Sequence, residues 1–152
     1  MYHHAPDGYR CPFCCVAAQQ VDPAIETCPD DIVAASDQVT AFISSHWWPH
    51  NPGHVIIIPN QHYENIYDLP LTTALAIHAL AREIALAMKH HYHCPGISTR
   101  QHNEPAGNQD VWHYHLHVFP RYHNDQLYLL QRRRTGREES QPYALQLRSY
   151  FV

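Results

Sequence analysis

Val55-Ile56-Ile57-Ile58 is the densest apolar run in the chain, four β-branched residues in a row ahead of Pro59. An unbroken run of this kind, without polar alternation, predicts a short buried strand over His54–Pro59. Ile32–Ser36 and Val39–Ser44 predict two further short strands, and Asp37-Gln38 between them makes a hairpin turn. Pro49 and Pro52 interrupt the chain after that hairpin. From Thr72 to about His90 the period changes. Ala74, Ile77, Ala81, Ile84 and Met88 recur at steps of three and four, the single apolar stripe of a helix, and Pro95-Gly96 lies just past its end. Ile97–Gln101 and Trp112–Pro120 predict two more strands, joined by the polar, Gly- and Pro-containing loop Asn103–Asn108. The first thirty or so residues, rich in Pro, Asp and Cys, read as loops and short turns. Asn60–Pro70 reads as a loop or a short helical turn, and the tail beyond Asn124 carries no recognisable period. Antiparallel-looking strands with one long inserted helix predict an α+β fold, in a single domain over residues 1–152.

Within the last predicted strand, histidines alternate with apolar residues: His113-Tyr114-His115-Leu116-His117-Val118-Phe119. Side chains two apart on a strand share a face and sit roughly 6.5 Å apart. His113, His115 and His117 would therefore line one face, while Tyr114, Leu116 and Val118 pack the other. Three imidazoles so spaced can do separate work on one phosphate-sized ligand. An uninterrupted terminal tag does not match this pattern, although a simple metal-binding tract remains open at this point.

The alternation resembles the signature of the histidine-triad (HIT) superfamily. Its surroundings are similar too: Asn103-Glu104-Pro105-Ala106-Gly107-Asn108-Gln109-Asp110-Val111 before it, Pro120-Arg121 after it, and Pro52-Gly53-His54-Val55-Ile56-Ile57-Ile58-Pro59 with His62 upstream. The resemblance runs from about Cys11 to Arg121 and leaves 122–152 as a C-terminal tail. It implies an antiparallel sheet of about five strands crossed by one long helix, commonly paired as a homodimer.

The same resemblance implies a chemistry. His115 attacks the α-phosphorus of a nucleotide, forming a nucleotidyl-histidine that water resolves to a nucleoside monophosphate. A neutral imidazole suits that role, with its other nitrogen fixed by a hydrogen bond, for instance to a backbone carbonyl. His117, His54 and Gln109 fall at phosphate-contacting positions. Asn103 or His102 falls where the superfamily has an amide, the alignment being ambiguous by one residue. Two positions depart from the pattern. Asp110 stands where relatives often carry Ser or Thr, and its carboxylate would either act as an acid or repel phosphate. His46 stands where relatives carry Asp or Asn for the ribose hydroxyls.

Cys11-Pro12-Phe13-Cys14 is, by itself, either a redox pair, two reduced core cysteines or half of a zinc site. The resemblance to bacterial-type members implies zinc, with His62 and His113 as the other ligands, in a structural role and with no catalytic cofactor. Cys15 reads as packing. Trp47-Trp48 either stacks a base or packs internally. Arg132-Arg133-Arg134 either reaches a phosphate across a dimer or is a solvated charge run.

Composition narrows the classes. A net charge of −4 argues against a protein built mainly for nucleic-acid binding, and five cysteines, an odd number, fit a reducing cytoplasmic setting better than a disulfide framework. Met1–Asp7 lacks the apolar run of a secretory signal, and the longest apolar runs are too short for a bilayer. The resemblance then implies a nucleotide hydrolase or nucleotidyl transferase acting on dinucleoside polyphosphates or nucleoside phosphoramidates, with adenine or another purine as the base. Uridylyl-type transferases of the same fold have a His-Pro-His-Pro-Gln site, against which Tyr114, Leu116 and His117 argue. A non-catalytic nucleotide-binding protein is the alternative from another class, separated by turnover. A DNA-end repair relative would call for a basic extension.

Overall fold

A computed structural model describes residues 2–152. Five strands form one antiparallel sheet: β1 (Ile32–Ala35), β2 (Val39–Ile43), β4 (Val55–Pro59), β5 (Gly96–Gln101) and β6 (Leu116–Arg121), in the spatial order β1-β2-β4-β6-β5. The two-residue strands β3 (His46–Trp47) and β7 (Arg133–Arg134) pair separately. Three α-helices complete the fold: α1 (Pro12–Ala17), α2 (Leu71–Tyr92) and α3 (Arg137–Arg148).

The run at β4 explains the layering. Val55 and Ile57 point into one apolar cluster, with α2 and α3, whereas Ile56 and Ile58 point into a second, with Phe13, Val16 and Phe42. All five β4 residues are buried. In β6, Leu116 and Val118 join the α2 side, so His117 and Phe119 face the α1 side. α2 seats Ile77, Ile84, Ala87 and Met88, none of them exposed, on the sheet. At 22 residues α2 is long and apolar enough to span a bilayer by composition, which its separate short runs did not suggest; that buried stripe makes it a core helix.

Three elements differ from the sequence expectation. α1 replaces an expected loop: Pro12 occupies its first turn and the Cys11 sulfur accepts from the Cys14 N–H at 3.4 Å. Its six residues are too few to show an apolar period. α3 lies in the tail without a recognised period, because its buried positions are Ser140, Ala144 and Leu147, two of them too small to register as a stripe, and Pro142 sits inside it. The expected strand Trp112–Pro120 begins only at Leu116. Its neighbour β4 ends at Pro59, which has no N–H to donate and whose carbonyl accepts from His113 Nε2 at 2.9 Å, while the Tyr114 N–H goes to the Tyr63 carbonyl at 2.6 Å.

Candidate active site

The late start of β6 leaves His113 in a bend, its N–H bonded to the Val111 carbonyl at 2.8 Å, and His115 in the irregular residues before the strand, with only His117 in the strand. The alternation survives without the ladder. Tyr114 is buried in the α2-side core, while His115 packs edge-on against Phe13 of α1, 5.2 Å between ring centres. His113 also packs edge-on against Phe13, at 6.0 Å, so all three histidines lie on the α1 side, with the rings of His115 and His117 5.0 Å apart.

His115 is held by one bond. Its Nδ1 lies 2.7 Å from the His113 carbonyl oxygen, which can only accept, so Nδ1 carries the proton and Nε2 carries the lone pair. Burial pushes the imidazole pKa down; the His113 carbonyl and the Asp110 carboxylate oppose this without reversing it. A neutral ring with an open Nε2 results. It faces a cavity of about 230 Å³ lined by Phe13, Phe42, Ile56, Ser45 and His46 among others. His117 is likewise kept neutral, burial being the main cause and the neighbouring His115 and His54 adding to it. His54 Nε2 meets His117 Nδ1 at 3.1 Å, and the His54 ring stacks on Phe119 at 4.5 Å. Burial, then the Arg100 charge, lowers the His54 pKa to about 3.

The remaining residues singled out by sequence fall into two groups. Asp110 and His46 line the cavity. Asp110 Oδ1 is 3.9 Å from His115 Nε2 and its Oδ2 takes a 2.5 Å bond from Arg132. Burial alone would raise the Asp110 pKa, but Arg132 holds the carboxyl below its ordinary value. His46 touches Ser45 Oγ at 3.1 Å and Glu26 at 3.4 Å. Gln109 and Asn103, in contrast, spend their amides on the loop. Gln109 bonds the Glu64 and Val111 carbonyls and the Glu104 N–H, and Asn103 bonds Ile66 N–H and Gln101. His102, the other reading of the ambiguous alignment, lines a second cavity beside His117.

The weaker sequence signals resolve, and two site residues, Phe13 and Glu26, are new. Arg132–Arg134 is neither fully solvated nor free. Arg132 pairs with Asp110, Arg133 with Glu139 and Arg134 with Glu26. Phe13 and Glu26 reach the cavity from segments read as loop. Trp47 is packed in the core, whereas Trp48 lines the second cavity.

Cys11, Cys14, His62 and His113 converge, their ligand atoms all within 4.8 Å of one another. Cys11 Sγ–His113 Nδ1 and Cys14 Sγ–His62 Nδ1 are 3.3 Å, and Cys14 Sγ–His113 Nδ1 is 3.6 Å. A tetrahedral zinc with bonds of about 2.3 Å to sulfur and about 2.0 Å to nitrogen has S···N edges of roughly 3.5 Å. His113 Nε2 donates to the Pro59 carbonyl at 2.9 Å, leaving Nδ1 unprotonated toward the sulfurs, the orientation a metal requires. The donor set fits a structural zinc ion.

The geometry agrees with what the chain is similar to. Protein hit of Bacillus subtilis is 29% identical over 113 residues, 74% of this chain and 72% of that protein. The bis(5'-adenosyl)-triphosphatase of Dictyostelium discoideum is 28% identical over 108 residues, 66% of this chain and 72% of that protein. Among solved structures, a Hit-like protein from Bartonella henselae superposes with a TM-score of 0.79 at 26% identity, covering 97% of this chain and 99% of that one. A zinc-bound histidine triad family protein from Mycobacterium smegmatis shares the fold, with a TM-score of 0.75 at 23% identity over 92% of this chain and 91% of that one. The HIT domain pattern matches residues 26–124, from the glutamate beside His46 to beyond the last histidine of the triad, and the chain belongs to the HIT family.

Proposed function

We propose that this protein is a nucleotide hydrolase or nucleotidyl transferase that works through a covalent nucleotidyl-His115. The carrying observation is the fixed tautomer: Nδ1–H bound to the His113 carbonyl, Nε2 open to the cavity on a neutral ring. Nε2 attacks the α-phosphorus, a P–N bond forms, and the bond from phosphorus to the leaving group breaks. Water then cleaves the P–N bond, releasing a nucleoside monophosphate and neutral imidazole. His117 supplies a polar contact beside the phosphate, His54 orients it from behind through the 3.1 Å bond between their rings, and His46 with Glu26 provides groups for a sugar. Dinucleoside polyphosphates and nucleoside phosphoramidates with a purine base are the substrates proposed. The Dictyostelium relative, named for the first class, supports it. Zinc on Cys11, Cys14, His62 and His113 is structural in this reading, tying α1 to the triad. A homodimer is also part of it, and two exposed leucines of α2, Leu71 and Leu75, offer apolar contact area.

The test compares wild type with His115→Ala on diadenosine polyphosphates and adenosine 5'-phosphoramidate, following AMP by chromatography. AMP release by wild type alone supports the reading. Binding of nucleotide without release by either protein would replace it with a non-catalytic nucleotide-binding protein.

A further inference from the structure

Two cavities meet at one ion pair. The first, about 230 Å³, holds His115. The second, about 480 Å³, is lined by Trp48, Arg100, His102 and Asn108 among others. Asp110, His117 and Arg132 line both. The Asp110–Arg132 bond thus lies on the seam between them, next to the Nε2 of His115. Arg132 arrives from the C-terminal segment, placed there by the adjoining β7, whose Arg133 and Arg134 pair with Trp47 and His46 of β3.

The second cavity has an unbalanced charge. Asp110 is the only acid lining it among the described residues, and Arg132 already neutralises that carboxylate. Arg100, from β5, is left over. Its guanidinium lies 4.7 Å above the Trp48 ring centre and 4.9 Å from that of Phe119, and its Nε is buried without a hydrogen-bond partner among the described residues. A half-buried cation with an unused donor leaves a desolvation cost that an entering anion would offset.

Building on the reaction proposed above, we infer that the second cavity receives an anionic leaving group, and that Arg100 and Arg132 make this protein select substrates by the charge on that group. The nucleoside and α-phosphate occupy the His115 side. The next phosphates of a polyphosphate cross the seam, where Arg132 exchanges part of its bond to Asp110 for phosphate oxygens and Arg100 gains an acceptor for Nε. Without Arg132, Asp110 would present an uncompensated carboxylate to the same phosphates. A neutral leaving group such as ammonia uses neither guanidinium.

The probes are diadenosine triphosphate, which loses ADP, and adenosine 5'-phosphoramidate, which loses ammonia; both leave AMP on the enzyme. kcat/KM is measured for wild type, Arg132→Gln, Arg100→Gln and Arg132→Gln/Asp110→Asn. One charge-assisted contact to phosphate corresponds to roughly a 10- to 100-fold change. Each arginine variant should therefore lose about that much more on the triphosphate than on the phosphoramidate, mostly through KM. The double variant should recover part of the loss, because the repelling carboxylate is gone. Equal losses on both probes would overturn the inference, since a residue that merely shapes the site acts on both. Calorimetric binding of ADP against AMP separates this inference from the reading it rests on. If wild type cleaves neither probe, the hydrolase reading fails. A tighter hold on ADP that Arg132→Gln abolishes would still support the anion cavity, and equal affinities would sink it.

Discussion

Asp125 gives the sharpest stability prediction, because its carboxylate is 4% exposed and accepts five hydrogen bonds. Arg121 donates Nε at 2.7 Å and Nη2 at 2.9 Å, Asn51 donates at 2.7 Å, and the N–H groups of Tyr122 and Leu127 donate at 3.0 and 3.2 Å. The residue thereby pins the end of β6 to the loop before β4. In Asp125→Asn, the amide oxygen can keep the Oδ2 partners, but the new NH2 points at two donors, Arg121 Nη2 and Leu127 N–H. A buried donor left without an acceptor costs about 1–3 kcal/mol, less for the partly exposed guanidinium. The sum is about 2–4 kcal/mol, or roughly a 5–15 °C lower Tm for a chain of this size. Arg121 holds the Asp125 carboxyl well below the usual carboxylate range, against the opposing effect of burial. A depressed pKa stabilises the folded state above the unfolded value near 4, and that contribution is lost as pH falls toward the folded value. The Tm gap between wild type and Asp125→Asn, read by scanning calorimetry, should be full at pH 7 and shrink below about pH 4. A gap under about 2 °C at pH 7, or one unchanged at pH 3, would refute the assignment of this stability to the ionised carboxylate.

Metal analysis of purified protein should find about one zinc per chain, lost in Cys14→Ser. Chelation should lower Tm by an amount equivalent to about 3–4 kcal/mol if zinc is held at 100 to 1,000 times its Kd. Ile57→Ala, at a position with no exposure, should cost about 2–5 kcal/mol in urea titration, with an unchanged m-value. Gly53→Ala should destabilise by more than about 1 kcal/mol, since Gly53 has φ +74° and an added Cβ would come within 2.5 Å of the Tyr143 ring; an Ala variant as stable as wild type would contradict the crowding.

Where the chain's pattern was strong, its elements were legible. Four β-branched residues read as a buried strand and form β4, and the stripe from Ala74 to Met88 read as a helix and lies in α2. The histidine alternation also survived, even though hydrogen bonding at Tyr114 delays the strand to Leu116. Short or small-residue elements left no trace, as α1 and α3 show. The candidate site was half legible. The alternation of His113, His115 and His117 was legible from spacing, and the part given to His115 came from the family resemblance; burial of the rings depends on the packing of α1 and the sheet around them. Whether Gln109 or Asn103 turns inward to the loop or outward to a ligand depends on where Glu64, Glu104 and Ile66 lie, and no local pattern carries that information. Arg132 was noticed only as part of a charge run, and its pairing was hidden for the same reason: its partner Asp110 is 22 positions away.

His113 serves two neighbours at once. Its ring nitrogens reach the cysteine sulfurs and Pro59, while its carbonyl fixes the proton on His115. The proposed zinc site and the orientation of the proposed nucleophile therefore meet in one residue. In that reading the path from the cysteine pair to His115 runs through His113 alone, so oxidation of either thiol should alter activity through this residue. Linked equilibria are reciprocal. Whatever factor zinc contributes to the hold on nucleotide at His115, nucleotide contributes to the hold on zinc, so the rate at which a chelator strips the metal should change when substrate is bound.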